Sequence, residues 1–597
     1  MQKKIMTTIL SGLISLTALG AQELTIHPVP QQCVERQGET GIPASYKLVV
    51  SDESKLSKAL VLLDSIMPGA DDDAKFTVRV GIKGDKSVKS YSKRIPSAAE
   101  GYYLESSKKG IVIAASDSRG AYYGVQTLAQ LLESGRLPFL EITDYPDIPY
   151  RGVVEGFYGK PWSHAARLSQ LDFYGRNKMN VYIYGPKDDP YHSTPNWRKP
   201  YPEKEAKQLQ QLVKRADSNN VMFYWAIHPG QDIKWNAADR DTLMSKFESM
   251  YKLGVRGFAV FFDDITGEGT KADKQAELLN YLDDHFVKEK GDVAPLIMCP
   301  TEYNKSWAKL EGRYLTTLGE MLNPGIQVMW TGNKVVANID RPTLEFINPL
   351  IKRKAYIWWN FPVSDYVQDH LLMGEVYGNG TDIKDLMSAF VANPMEHAEA
   401  SKISLYSIAG YTWNMESYDS QAEWEQAIRD LMPRNAQYLR TFAIHNSDLG
   451  PNGHKFRRKE SENIRPALES LCAAYENGRI DDEAFAKVMA ECRSISEAAD
   501  KLLVSDENRA LVEEMSPWLL RFKFVGLYGE EVLRAMLLLQ EGRADEAAAS
   551  YDKASTLRAY IGLTDTLLNQ QSRYPGIETA SLHLFPSLEK LYAILSR

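Results

Sequence analysis

Two consecutive carboxylates, Asp263 and Asp264, end the apolar run Phe258-Ala-Val-Phe-Phe262. Such a run suits a strand buried on both faces, so carboxylates ending it face the mouth of the sheet that holds it. Close carboxylates in a dry site split their pKa values, one staying ionised and one protonated, which is the division that general acid–base catalysis uses. Successive strand residues point to opposite faces, so the chain must bend at the pair for both to reach one pocket. The dipeptide alone is weak evidence, because it recurs at Asp72, Asp188, Asp283 and Asp481, where turns or solvated helix faces are expected. Two other readings compete. Asp263, Asp264 and Glu268 offer oxygen ligands to a hard cation, and the same carboxylates offer caps to the next helix.

A pair so placed needs a scaffold. Short β-rich runs recur at Arg151–Val154, Asn180–Tyr184, Val221–Ile227, Gly257–Phe262, Pro295–Cys299, Ile326–Trp330, Ala355–Trp359 and Ser388–Ala392. Helical patterns such as Glu203–Asp217, Arg240–Leu253 and Lys271–Lys288 lie between them, while Phe361–Leu386 reads as a long loop. Eight strands in this span fit a (β/α)₈ barrel of about 250 residues, whose functional groups sit at the C-terminal strand ends. Polar and aromatic residues follow nearly every run: Glu155-Gly-Phe-Tyr-Gly159, Gly185-Pro-Lys187, His228-Pro-Gly, Pro300-Thr-Glu-Tyr303, Thr331-Gly-Asn333, Trp358-Trp-Asn360 and Asn393-Pro. Ten of the eleven Trp lie between Trp162 and Trp424. Aromatic faces suit the C–H faces of pyranose rings, and Asn or Asp side chains bind their hydroxyls.

The flanking zones differ from the middle. Residues 22–147 mix strand-like runs (Tyr46–Ser51, Phe76–Ile82, Ile111–Ala115) with the amphipathic stretch Tyr122–Leu132, an α+β domain. Residues 148–440 hold the barrel. Residues 441–597 are rich in Ala, Leu, Glu and Arg at helical spacing, a helical domain. The whole is an α/β chain: a central (β/α)₈ barrel with an N-terminal α+β domain and a C-terminal α-helical domain. Residues 1–21 read as an export signal, with Lys3 and Lys4 ahead of the apolar stretch Ile5–Ala18 and small residues before Gln22. That pattern places the protein in the periplasm, cell envelope or medium, and no later stretch is long and apolar enough to span a membrane. The formal net charge of −8 argues against nucleic acid or anionic lipid as the main partner and leaves neutral sugars open. Four cysteines make no disulfide scaffold and no zinc spacing; a Cys472–Cys492 bridge stays open.

The middle zone resembles glycoside hydrolase family 84, the bacterial β-N-acetylglucosaminidases similar to O-GlcNAcase. The motifs that carry the likeness are Arg151-Gly-Val-Val-Glu-Gly-Phe-Tyr-Gly159, Tyr184-Gly-Pro-Lys-Asp-Asp-Pro190, Phe261-Phe-Asp-Asp264, Trp330-Thr-Gly-Asn333, and Trp358-Trp-Asn-Phe-Pro362 followed by Asp365. The resemblance implies removal of terminal β-linked N-acetylglucosamine with retention. The substrate's acetamido group serves as nucleophile through an oxazoline, and no cofactor or metal takes part. It implies that Asp263 orients and polarises the acetamido N–H, and that Asp264 is general acid and then general base. Tyr303 and Thr331 then lie beside the acetamido group. Gly156 (through its backbone), Lys187, Asp365 and Asn393 hold sugar hydroxyls, while Trp358 and Asn360 line the floor; Tyr158 belongs with these substrate-binding residues. The implied partner is a glycan or glycoprotein containing N-acetylglucosamine, and the oligomeric state is left open. An endo-acting hyaluronidase-type enzyme, a non-catalytic glycan-binding protein of the envelope and a metal-dependent hydrolase are the rivals.

Overall fold

A computed structural model describes residues 26–187, 189–571 and 573–596. The export-signal reading of residues 1–21 falls outside them. A mixed six-stranded sheet comes first: β1 (Gln32–Gly41), β2 (Lys47–Val49), β3 (Thr77–Ile82), β4 (Tyr102–Ser107), β5 (Gly110–Ala115) and β6 (Arg136–Asp144), in the order β1-β6-β4-β5-β3-β2. Helix Ser118–Leu132 covers one face, and Asp117 caps it by accepting from the Gly120 N–H. The edge strand β1 has almost no buried residue and no apolar alternation, so its sequence carries no strand period.

Eight parallel strands then close on themselves: β7 (Tyr150–Glu155), β8 (Val181–Tyr184), β9 (Met222–Ile227), β10 (Gly257–Phe261), β11 (Ile297–Cys299), β12 (Gln327–Trp330), β13 (Ala355–Trp359) and β14 (Met387–Ala392). Each overlaps a run read from the sequence. The run at Pro295–Cys299 is trimmed to three residues, Pro295 having no N–H to give to a ladder. The connection 361–383 holds no helix or strand, and the expected helix Lys271–Lys288 passes through a wide π turn at Asp283–Val287. Period-two alternation divides the barrel residues between two cores. Val154, Ile183, Ala226, Ala259, Phe261, Cys299 and Trp358 fill the interior, while Phe258, Val260, Phe262 and Trp359 pack outward under the helices.

The N-terminal sheet and the base of the barrel share buried charges. Lys178 Nζ lies 3.2 Å from Asp144 with both side chains wholly buried, and Arg151 pairs with Glu100 at 2.8 Å. Trp413 Nε1 donates to the second Asp144 oxygen at 2.7 Å. The remaining helices include Arg465–Glu476, Asp482–Leu503, Arg509–Gln540, Ala544–Leu567 and Leu584–Leu595, packed as a helical domain. Among the described residues no helix is long and apolar enough to cross a membrane. All four cysteines are free, so Cys472 and Cys492 are not bridged.

Candidate functional site

The alternation along β10 settles where the Asp pair goes. Ala259 and Phe261 point into the barrel, so Asp263 follows them inward. Asp264 would then point outward, but its φ of 53° turns the chain left-handed and brings its carboxylate back to the pocket. That conformation costs most side chains roughly 1–2 kcal/mol, and Asp is among the few that visit it routinely. The bend demanded by two adjacent carboxylates is therefore a local backbone feature.

A cavity of about 280 Å³ opens at this end of the barrel, near the lower end of ligand pockets and suited to one sugar ring. Gly156, Tyr158, Lys187, Asp263, Asp264, Tyr303, Thr331, Trp358, Asn360, Asp365 and Asn393 all line it. Every site residue read from the sequence is thus in one place, carried by the ends of seven strands.

The electrostatics separate the two carboxylates. Burial alone would push the Asp263 carboxyl up. The Lys187 ammonium, 2.5 Å from Oδ2, and the neighbouring His228 overcome it and hold the group well below the usual carboxylate range. Burial opposes the charge on Lys187 too, yet Asp263 holds its ammonium above the ordinary value. His228 Nε2 donates to the Asp263 carbonyl at 2.7 Å and stands 3.4 Å from Oδ1. The shorter contact takes the ring proton, so Oδ1 is a buried acceptor without a hydrogen-bond partner. Asp264 sits between two phenols: Tyr303 donates to Oδ1 at 2.9 Å and Tyr158 to Oδ2 at 3.0 Å. Burial pushes both phenols up, so both remain donors.

Several residues have partners that the sequence does not show. Lys187 gives a bond to Asp263 before any hydroxyl. Thr331 Oγ1 donates to the Lys334 carbonyl at 3.0 Å, and its N–H donates to the Tyr303 carbonyl at 2.9 Å, so it fixes the loop that carries Tyr303. Asn360 Oδ1 accepts from Trp358 Nε1 at 2.9 Å and from Asn393 at 3.0 Å, which locks the floor tryptophan in place. Asn393 Oδ1 accepts from the Gly156 N–H at 3.3 Å. A Cβ on Gly156 would come within 2.5 Å of the Trp358 ring, so the position needs glycine for close approach. Asp365 accepts from the Tyr158 N–H at 3.0 Å, and burial raises its carboxyl. Glu155, in the same motif as Gly156, faces away and pairs with Arg167 at 2.7 Å.

Glu268 is outside the pocket, in an exposed turn where Lys271 pairs with it at 2.6 Å. Among the described residues no three His, Cys, Asp or Glu side chains are grouped to hold a metal ion. Sequence reasoning missed the far rim: Trp307, Val335, Val336, Val363, Tyr366, Gly453, His454, Arg573 and Tyr574. The last four come from the C-terminal region, and no local pattern announces that it returns to the barrel mouth. Cys299 lies beneath the pair, and burial pushes its thiol well up.

The pair of Lys187 and Asp263 makes a pH prediction. Lys187→Ala removes the main opposition to burial, so the acid limb of kcat/KM should move to higher pH, while Lys187→Arg should largely restore it. The sign for stability follows from the depressed carboxyl. The pair stabilises the fold above about pH 4, where the unfolded carboxyl is ionised, and loses this as pH falls through the lower folded value. Thermal melts from about pH 5 down to about pH 2 should show the onset of that loss in the wild type and little of it in Lys187→Ala. An acid limb that stays put in the alanine variant would dissociate Lys187 from the charge of Asp263.

Comparison with known proteins gives the geometry a context. Residues 151–444 match the family described as beta-N-acetylglucosaminidase. Residues 460–592 match the bacterial GH84 post-catalytic domain, and 23–145 match glycosyl hydrolase family 20, domain 2. The solved structure of CpGH84B is similar over 95% of this chain and all of its own, at 30% identity and a TM-score of 0.86. That of CpGH84D aligns over 96% of this chain and all of its own, at 27% identity and a TM-score of 0.88. The protein O-GlcNAcase of Rattus norvegicus is 35% identical over 272 residues, 44% of this chain but only 29% of the rat protein.

Proposed function

Since the chain belongs to glycoside hydrolase family 84, we propose that it is an exo-acting, retaining β-N-acetylglucosaminidase that uses the substrate's acetamido group as its nucleophile. One observation carries the reading: Asp263 is held ionised with Oδ1 unshared, next to Asp264 between two phenols, in a pocket sized for one sugar. Oδ1 is the acceptor for the acetamido N–H. It turns the amide oxygen toward the anomeric carbon and offsets the positive character that grows on nitrogen. The amide oxygen bonds to the anomeric carbon as the bond to the aglycone oxygen breaks, and Asp264 gives its proton to the leaving oxygen. Asp264 then takes a proton from water, whose oxygen attacks the same carbon and opens the protonated oxazoline ring, its N–H held throughout by the ionised Asp263 carboxylate. Two inversions leave the β configuration. Intramolecular attack gains the large advantage of proximity, and the enzyme supplies no nucleophile of its own.

Terminal β-linked N-acetylglucosamine on a glycan or glycoprotein is the proposed substrate, and export through residues 1–21 is part of the same proposal. The small size of the pocket, about 280 Å³, supports exo over endo action. A panel of aryl β-glycosides tests the reading. The N-acetylglucosaminide should turn over after exhaustive dialysis against EDTA, the glucoside should be essentially inert, and NMR should find the β anomer first. An inverted product, equal glucoside turnover, or activity lost to chelator and restored by Ca²⁺, Mg²⁺ or Zn²⁺ would refute it.

A further inference from the structure

The far rim of the pocket is not made by the barrel. The chain leaves helix Ala544–Leu567 and crosses to the mouth, where it is pinned on both sides of residues 573–574. Asn569 Nδ2 donates to the Gln368 carbonyl at 2.8 Å, and Gln571 Nε2 to Glu396 Oε1 at 2.6 Å. Downstream, the Glu578 N–H donates to the Asp369 carbonyl at 2.7 Å. This strap presents Arg573 and Tyr574 to the opening. Tyr574 is 39% exposed, and two other rim aromatics, Tyr158 and Trp307, are 38% and 43% exposed. Exposed aromatic rings around a concave site are platforms for a ligand that extends beyond it.

Arg573 is exposed, and among the described residues no carboxylate lies within ion-pair distance of its guanidinium. The other full cation in the lining, Lys187, is deep and already paired with Asp263. Arg573 does reach the field of the pocket, since it opposes the burial that raises the Asp365 carboxyl. A guanidinium is a rigid fork of donors matched to oxyanions. Here it stands where the pocket meets solvent, among carboxylates that would otherwise repel an anion.

Resting on the glycosidase reading, we propose that Arg573 and Tyr574 form an aglycone subsite that favours substrates carrying an oxyanion, carboxylate or sulfate, next to the cleaved sugar. Tyr574 supplies a stacking face and Arg573 the charge recognition. An exposed ion pair is worth about two- to fivefold in kcat/KM.

The test compares 3-(carboxymethyl)phenyl and 3-(carbamoylmethyl)phenyl β-N-acetylglucosaminides, whose leaving groups are similar in acidity. Their ratio of kcat/KM cancels any general loss in a variant. The wild type should favour the carboxylate about two- to fivefold at low salt, with the ratio falling toward one at about 0.5 M salt. Arg573→Gln should bring the ratio to one, Arg573→Lys should keep part of it, and Arg573→Glu should invert it. Matched glycopeptides (Glu against Gln) and matched disaccharides (sulfated against unsulfated) tell the source, the larger ratio naming it. A wild-type ratio of one with normal hydrolysis, or a ratio unmoved in Arg573→Gln and Arg573→Glu, overturns this subsite alone. No hydrolysis of either aryl glycoside overturns the glycosidase reading beneath it.

Discussion

Asp264→Asn is expected to lower turnover of glycosides with poor leaving groups by about 10²–10⁴-fold, the usual worth of a general acid. Aryl glycosides with acidic phenols should lose far less in the first step, because their oxygens depart without a proton. A plot of log kcat/KM against leaving-group pKa, shallow in the wild type, should steepen in the variant. Asn is the informative replacement for a structural reason. Position 264 has φ 53°, a conformation that Asn tolerates and Ala does not. Ala would mix lost chemistry with lost backbone stability, whereas Asn keeps the bend and one oxygen to accept from a Tyr phenol, while its amide nitrogen has no acidic proton to give. An equal loss across all leaving groups would take the general-acid role from Asp264.

The second large effect concerns Asp263. Asp263→Asn should cost about 10²–10³-fold, the scale seen when one preorganised group at a developing charge is removed. A neutral amide cannot offset the positive character on the acetamido nitrogen, and it also strands the Lys187 ammonium in a buried site. Substrate electronics give an independent handle that leaves the protein untouched. Mono-, di- and trifluoroacetyl in place of N-acetyl add little bulk and withdraw charge from the attacking oxygen. Wild-type turnover should therefore fall steeply and monotonically along the series, and stable oxazoline mimics should bind far more tightly than substrate. A flat response to fluorination would show that the acetamido oxygen is not the nucleophile.

Much of this site is legible in the sequence because a barrel turns one-dimensional order into a ring. Once β10 is read as a buried strand, period two sends Ala259, Phe261 and Asp263 inward. Tyr303 and Asn393 follow because each sits past a strand end, and Trp358 because it points inward within the last residues of β13. The partners are harder to read. His228 is visible past β9, but nothing in the sequence says that its ring holds the Asp263 carbonyl. Thr331 looks like a sugar contact, yet its hydroxyl donates to the Lys334 carbonyl and its N–H to the Tyr303 carbonyl. Arg573 and Tyr574 depend on contacts more than two hundred residues distant in sequence, such as Asn569 with Gln368, and no local period encodes such a return. The strand β1 was silent for a different reason, being an exposed edge with nothing to alternate.

The charges beneath the barrel carry a consequence for how the chain can be divided. Lys178 and Arg151 belong to the barrel, whereas Asp144 and Glu100 belong to the sheet before it. A polypeptide that starts at β7 inherits both cations and neither counter-ion. Breaking a buried pair on one side costs about 3–5 kcal/mol where the remaining charge stays buried, so a barrel cut at β7 must open its base and let water reach both cations. The amino-terminal sheet is thus less an appendage than a plug of matched charge, seated by Asp144 and Glu100 on Lys178 and Arg151.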